Sequence, residues 1–472
     1  MTEHSGKNLR SVSALWTSDE IAVATGGTAS GPFEVTGVTF DSREVQPGDL
    51  FVAMPGTIHD GHKFVDGAFA AGAAGAIVSQ RVSGPHVLVA DTFAALQALG
   101  RASRERTQAT IFGVTGSVGK TSTKEALYAA LDRNRPGKVH RSVKSYNNHT
   151  GVPLSLARMP RDVDFAVLEM GMNNAGEIRA LTAQVRPHVA LVTAIVPAHI
   201  ENLGSMESIA DAKAEIFDGL EPDGIAILPN DTPHRDRLLK AARRRANRII
   251  TFGGGDADVH AVHAVAAEGG GSLISAALLE RELTFTISQP GEHWVCNALA
   301  VLAAVEAVGA DVALAGLALA DMSSLKGRGE RHRVRINGGE LLLIDESYNA
   351  NPASMAATLA SLGAEKGAAR RIAVLGPMRE LGAHSDALHA GLAPVILSAR
   401  VDQLILIGEE MSPLDEALDG RIAVVRVTTV EEATERLREL LHPGDAVLVK
   451  ASNSVGLAKL VESMAKEPAC ST

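Results

Sequence analysis

Cysteine is nearly missing from this chain: Cys296 and Cys470 are the only two among 472 residues. That is too few for a disulfide framework or a cysteine-built metal site. Aromatic residues are scarce as well, 3% against 46% hydrophobic overall, while glycine is abundant at 45. Such a composition suits helices packed closely on parallel sheets better than an all-β architecture. Positive charge is not in excess. A formal net charge of −10 argues against non-specific affinity for nucleic acid or an anionic membrane. It does not exclude a local anion site, because a few donors bind phosphate whatever the global sign. MTEHSGKNLR lacks the apolar core of a signal peptide. The most apolar tract, residues 294–320, carries Glu306 and Asp311 and is mostly alanine. It is expected to form two buried helices rather than a membrane span. A cytoplasmic enzyme or NTPase is expected.

The length exceeds what a single core supports, and about two to four domains are expected. Residues 1–108 hold short strand-like runs at 35–40 and 50–53, then an alanine-rich helix at 64–74. From 109 to 330, strands alternate with helices. The apolar runs 112–115, 165–169 and 189–196 are of the kind buried on both faces of a parallel sheet. Residues 331–472 repeat the alternation, with strands at 341–345, 371–376, 403–407 and 446–450. Two βα regions behind a smaller module suggest ligands held between domains, at strand C-terminal ends.

FGVTGSVGKTST, residues 112–123, sets an apolar strand before Thr115, Gly116, Ser117, Val118 and Gly119, with Lys120, Thr121 and Ser122 opening a helix. Glycines let backbone N–H groups approach phosphate oxygens, and the helix N-terminus adds a favourable dipole. In such a loop the lysine reaches the β/γ-phosphates of a nucleoside triphosphate, and the next hydroxyl binds Mg²⁺. The spacing departs from G-x-x-x-x-G-K-[ST]: Val114 stands at the first glycine position and Gly113 falls one residue early.

Glu169 ends an apolar strand, where it is either a plain strand terminus or a magnesium ligand beside the loop. His199 follows another such run and is a structural hydrogen-bonder or a second ligand. Lys213, on a helix, is by default solvated, and Asn297 is by default a helix cap or polar neighbour. Arg328 and Arg331 lie in LKGRGERH; either clamps a γ-phosphate on domain closure or solubilises a hinge. In LLLIDESYNANPASM, a buried strand ends at Asp345, and Asn349, Asn351 and Pro352 follow. That is good turn chemistry, and by position it also suits a loop that reads a nucleotide or second substrate.

TGSVGKTSTKE, YNNHTGVPLSL, LEMGMNNAGEI, DAKAEIFDGL, DESYNANPASM and VLVKASNSVG occur in this order, behind FDSREVQPGDLFVAMPGTIHDGHKFV. Together they resemble the Mur ligase family, ATP-dependent amide-forming enzymes of bacterial peptidoglycan precursor synthesis, over nearly the whole chain. The motifs are most similar to the branch that adds D-alanyl-D-alanine to a UDP-N-acetylmuramoyl tripeptide. The resemblance implies an α/β fold in three domains. These are a small UDP-binding module (1–108), a central P-loop domain with a mostly parallel sheet (109–330), and a Rossmann-like domain (331–472) that binds the dipeptide. A monomer is expected.

By position, the resemblance makes Lys120 and Thr121 holders of phosphates and Mg²⁺, with Glu169 and His199 as ligands to one or two metal ions. Lys213 matches a lysine that relatives use as a carbamate, and a linker arginine, Arg328 or Arg331, would be catalytic. Asn297, Asp345 and Asn349 would contact the nucleotide. Ser42, Arg43, Asn148 and Arg179 would face the UDP-sugar-peptide, and Asn349, Ala350, Ser452 and Ser454 the dipeptide. Two departures stand out: Trp294 replaces an asparagine usual after His293, and Pro377 replaces a common acidic residue in LGPMRELG. A diamino-acid-adding relative would show Asp-Asn-Pro-Arg in the third domain, and none occurs. A regulatory P-loop ATPase, the reading from another class, would need no UDP-type module.

Overall fold

The computed structural model describes residues 14–56, 60–267 and 270–466; Cys470 lies outside them. Its centre is a nine-stranded sheet in the order Glu282–Ile287, Ser272–Ala277, Val259–Ala266, Arg248–Gly253, Ile225–Pro229, Val189–Val192, Thr110–Thr115, Phe165–Glu169, Val139–Arg141. From Val139–Arg141 to Val259–Ala266 all neighbours are parallel. The strands read as apolar runs because both faces are covered. Alternation along each strand divides the side chains between two cores. Phe112, Val114 and Val167 meet the helices Lys120–Asn134, Glu292–Ala307 and Val312–Asp321. Ile111, Ala166 and Leu168 meet Gly151–Ala157, Glu177–Val185 and Met206–Ala214. The alanine-rich tract is therefore two buried helices, as its composition predicts.

Two departures from the sequence reading have clear causes. The run at 189–196 stops being strand at Val192, because the next residues turn to brace the phosphate loop. The antiparallel strands 259–287 extend the sheet beyond the apolar runs. Val259–Ala266 is exposed over much of its length, so it lacks the apolar signature of a buried strand.

A six-stranded sheet, Glu330–Ile336, Gly339–Glu346, Ala446–Lys450, Arg371–Leu375, Gln403–Ile407, Ala423–Val427, follows. All its pairings are parallel except the opening hairpin. The N-terminal strands form a five-stranded sheet, Thr28–Ala29, His86–Leu88, Gly75–Val78, Asp49–Val52, Gly37–Thr39. Arg104, on the helix Thr92–Arg106, ties this unit to the central one by donating to the carbonyls of Val185 (2.8 Å) and Arg186 (2.7 Å). Among the described residues no helix is long and apolar enough to cross a membrane.

Candidate active site

Thr110–Thr115 lies between Phe165–Glu169 and Val189–Val192, with Val114 level with both Glu169 and Leu191. Parallel neighbours end on the same side, so Glu169 and the segment after Val192 emerge beside the phosphate loop. That segment holds the loop's shape. Ser117 N–H donates to Ala194 O at 2.8 Å, and Thr193 Oγ1 donates to Thr115 O at 3.2 Å. Gly116 has a φ of +150°, and a Cβ there would lie 1.9 Å from Thr193 Oγ1. At Gly119, φ is +80° and a Cβ would come within 2.8 Å of Asn297 Oδ1. Gly113 sits within the strand, where a Cβ would strike Met170 Cε at 2.6 Å. It is a packing residue, and its displaced position in the motif has nothing to do with phosphate.

Lys120 turns its ammonium onto the loop, donating to Gly116 O at 2.8 Å. Burial lowers its pKa, while the Glu169 charge raises it and Arg328 adds to the lowering. Thr121 Oγ1 donates to Glu169 Oε2 at 2.9 Å and lies 3.1 Å from Ser145 Oγ. Asn147 donates to Glu169 Oε1 at 2.7 Å. Hydroxyl and carboxylate oxygens gathered here suit a hard divalent cation such as Mg²⁺.

His199 borders the same cleft, with its Nδ1 against the carboxylate of Glu380. Lys213 does not line the cleft; it is wholly buried, and among the described residues its Nζ has no hydrogen-bond partner. Burial, and next the charge of Lys120, hold its pKa well below the usual lysine value, against the pull of Glu177. A buried amine without a partner is costly as an ammonium. It fits a group that is completed by a carboxylate.

The cleft encloses about 510 Å³ and is lined from both sides. The phosphate loop, Glu169, His293 and Asn297 face Arg328, Glu346, Tyr348, Asn349 and Lys450 across it. The structure divides the linker arginines. Arg328 stacks on Tyr348, 4.0 Å from the ring centroid, and its Nη2 donates to Ser145 Oγ at 3.4 Å. Arg331 makes a two-pronged pair with Glu365 at 2.8 and 2.6 Å and stays out of the cleft. Arg328→Ala is expected to lower kcat by about 10²–10³-fold, as for the loss of one transition-state donor. Arg331→Ala is expected to leave kcat near wild type and change stability by no more than about 1 kcal/mol, as for an exposed pair. Steady-state rates and melting curves on the two variants check this.

Other sequence-chosen residues fall elsewhere. Asp345 is buried outside the cleft, accepting from the N–H groups of Gly327 (3.2 Å) and Ser347 (3.0 Å). It shapes the linker turn, and its neighbour Glu346 is the residue that reaches the cleft. Likewise Asn148 caps the turn before Gly151–Ala157, accepting from Gly151 N–H at 2.9 Å, whereas Asn147 meets Glu169. Asn297 lies within Glu292–Ala307 rather than at its cap and accepts from Thr123 Oγ1 at 3.3 Å. Trp294 is buried in the core and, like Asn297, also lines the cleft.

Ala350 is buried in the third unit. Ser452 Oγ accepts from Arg379 N–H at 2.9 Å, and Ser454 is exposed; neither lines the cleft. Arg179 pairs with Glu215 (3.3 Å) and Asp218 (3.0 Å) along a separate surface groove. Ser42 and Arg43 lie in the N-terminal unit, where Arg43 is tied to Asp41. Sequence reasoning missed Glu346 and Lys450. They are register partners at the ends of adjacent strands, with Lys450 Nζ 3.3 Å from Glu346 Oε2, and strand ends of parallel sheets are where such residues are to be sought.

Fold and site together define a P-loop nucleotide-binding protein whose phosphate site faces a second α/β unit. Family models agree in order: "Mur ligase family, catalytic domain" matches residues 34–105, "Mur ligase middle domain" 114–305, and "Mur ligase, glutamate ligase domain" 327–453. A UDP-N-acetylmuramoyl-tripeptide–D-alanyl-D-alanine ligase of Bacillus subtilis is 34% identical over 95% of this chain and 98% of its own. The crystal structure of MurF from Acinetobacter baumannii superposes with a TM-score of 0.83 at 29% identity, covering 96% of this chain and 99% of that one. MurF ligase from Thermotoga maritima, solved with ADP, gives 0.76 at 28% identity over 92% and 98%. The chain belongs to the Mur ligase family.

Proposed function

We propose that this chain is an ATP-dependent ligase joining D-alanyl-D-alanine to a UDP-N-acetylmuramoyl tripeptide, with release of ADP and phosphate. One observation carries the reading: the phosphate loop, the Glu169 oxygen cluster and the DESYNAN loop of the third unit line one cleft. Relatives named for this reaction match 95% and 92% of this chain. In this reading residues 1–108 hold the UDP moiety, 109–330 bind ATP, and 331–472 receive the dipeptide.

The tripeptide's terminal carboxylate attacks the γ-phosphorus in line, giving an acyl phosphate and ADP. The dipeptide amine then attacks the acyl carbon, and the tetrahedral intermediate collapses to amide and phosphate. A free carboxylate would have to expel oxide, so phosphorylation supplies the leaving group. Lys120 and Arg328 neutralise charge on the transferring phosphoryl group, and the loop amides hold it in place. Thr121, Glu169 and His199, with a carbamate on Lys213, would hold Mg²⁺. When bound, the cation offsets phosphate charge. Closure of the cleft excludes water, which would otherwise hydrolyse the acyl phosphate.

Sustained, multiple-turnover ADP production is expected only when the tripeptide nucleotide and D-alanyl-D-alanine are both present. A coupled ADP assay omitting each in turn checks this; turnover indifferent to both refutes the reading. Tripeptides ending in lysine or diaminopimelate, assayed side by side, identify the third residue accepted.

A further inference from the structure

The loop LGPMRELG, residues 375–382, is the one motif so far without a task. We propose that its Glu380 is a positioning residue for His199, so that the metal-binding histidine is set only when the third unit closes on the central one. This rests on the ligase reading, in which His199 is a metal ligand.

His199 Nδ1 is buried, with the Glu380 carboxylate as its ion-pair partner across the boundary between the two units, in a contact that is not an aligned hydrogen bond. The backbone joins in: Glu201 N–H donates to Glu380 O at 3.4 Å. Gly382 fits beside Glu201, where a Cβ would lie 2.9 Å from Glu201 Cγ. Both paired residues hold a left-handed backbone, His199 at φ +57° and Glu380 at +63°. Neither is glycine, and side chains other than glycine's rarely hold this conformation. Strain of this kind persists where the surroundings over-determine it, and it clusters at functional sites.

Glu380 is also presented by a fixed loop. Ser452 N–H donates to Pro377 O (3.1 Å), Arg379 N–H to Ser452 Oγ (2.9 Å), and Met378 N–H to His389 Nε2 (3.0 Å). The carboxylate is therefore placed by the third unit, through the segment after Ala446–Lys450 and the helix Ser385–Ala390.

The chemical consequence concerns the tautomer. A carboxylate at Nδ1 keeps the proton there and leaves the Nε2 lone pair for a ligand, an arrangement common to metal-binding histidines. When the units part, His199 loses that acceptor and its ring is no longer fixed. Closure and metal binding are then coupled, and the coupling is reciprocal: a cation on His199 favours the closed form as much as closure favours the cation.

The test uses the full-length enzyme with a non-hydrolysable ATP analogue and Mn²⁺ as a paramagnetic probe. Mn²⁺ affinity and histidine-nitrogen hyperfine coupling are measured for wild type, Glu380→Ala, Glu380→Gln, His199→Ala and the double alanine variant. Glu380→Ala is expected to weaken Mn²⁺ about 10- to 100-fold and to lose the nitrogen coupling. Affinity for the analogue without metal should stay unchanged. Glu380→Gln, whose amide oxygen still accepts from Nδ1, should recover part of both signals. The double variant should be no worse than His199→Ala, since both changes act on one interaction. Wild-type Mn²⁺ binding in Glu380→Ala, or losses that simply add in the double variant, overturns the proposal. If His199→Ala itself leaves affinity and coupling intact, the assignment of His199 as a ligand fails instead, and the two failures are distinguishable.

Discussion

Lys120→Ala should lower ligase turnover by roughly 10³-fold or more, the scale on which single cationic groups act in phosphoryl transfer, while leaving the fold intact. Its ammonium bonds only to carbonyls of its own loop, Gly116 O at 2.8 Å and Ser117 O at 3.5 Å. Among the described residues no hydrogen bond ties it to a distant element. The loop is held instead by Thr193, Ala194 and Val196, which bond to Thr115, Ser117 and Val118. Circular dichroism and the melting midpoint should therefore match wild type. The loss should fall on kcat, because the ammonium opposes charge that builds on the transferring phosphoryl group. A variant within tenfold of wild type would remove Lys120 from its assigned role.

Lys213→Ala should cost at least about a hundredfold in kcat, comparable with the largest losses from partners of a metal site. Formate or acetate should return part of the activity. The reasoning starts from burial: a wholly enclosed lysine with no hydrogen-bond partner among the described residues has its pKa driven well down. The neutral amine is the form that adds CO₂, forming an N–C bond and releasing a proton. The product is a carboxylate, an oxygen ligand suited to Mg²⁺. CO₂-depleted buffer should accordingly slow the wild-type enzyme and leave Lys213→Ala unaffected. An active Lys213→Ala enzyme, or one that neither carboxylate improves at all, sinks the carbamate role.

Much of the architecture is legible in the sequence because its signals are local. Strands such as Phe165–Glu169, Gln403–Ile407 and Ala446–Lys450 announce themselves as short apolar runs, and such runs mark doubly covered parallel sheets. The phosphate loop is readable for the same reason. Loop, lysine and hydroxyl sit within a few residues of one another, and only a strand-to-helix turn satisfies them. The antiparallel strands 259–287 do not show as apolar runs because they are half-exposed; their sequence signal is alternation, clear in Glu282–Ile287 and lost in Val259–Ala266.

In several segments that line the cleft, the sequence pointed to a neighbour of the side chain that enters it, and that difference matters. Asp345 and Glu346 are neighbours on a strand, and successive side chains of a strand point to opposite faces. One closes the linker turn and the other enters the cleft. Asn147 and Asn148 also divide, though in a loop: one meets Glu169 and the other caps the turn before Gly151–Ala157, while Arg328 in the linker enters the cleft and Arg331 on the strand from Glu330 does not. The sequence by itself determined which segments approach the phosphate, because strand ends and glycine loops are short-range properties. Only the tertiary structure decided which side chain of each segment arrives, and that His199 meets Glu380 across two units. Those outcomes depend on strand register and on packing between parts of the chain nearly two hundred residues apart, which no local pattern encodes.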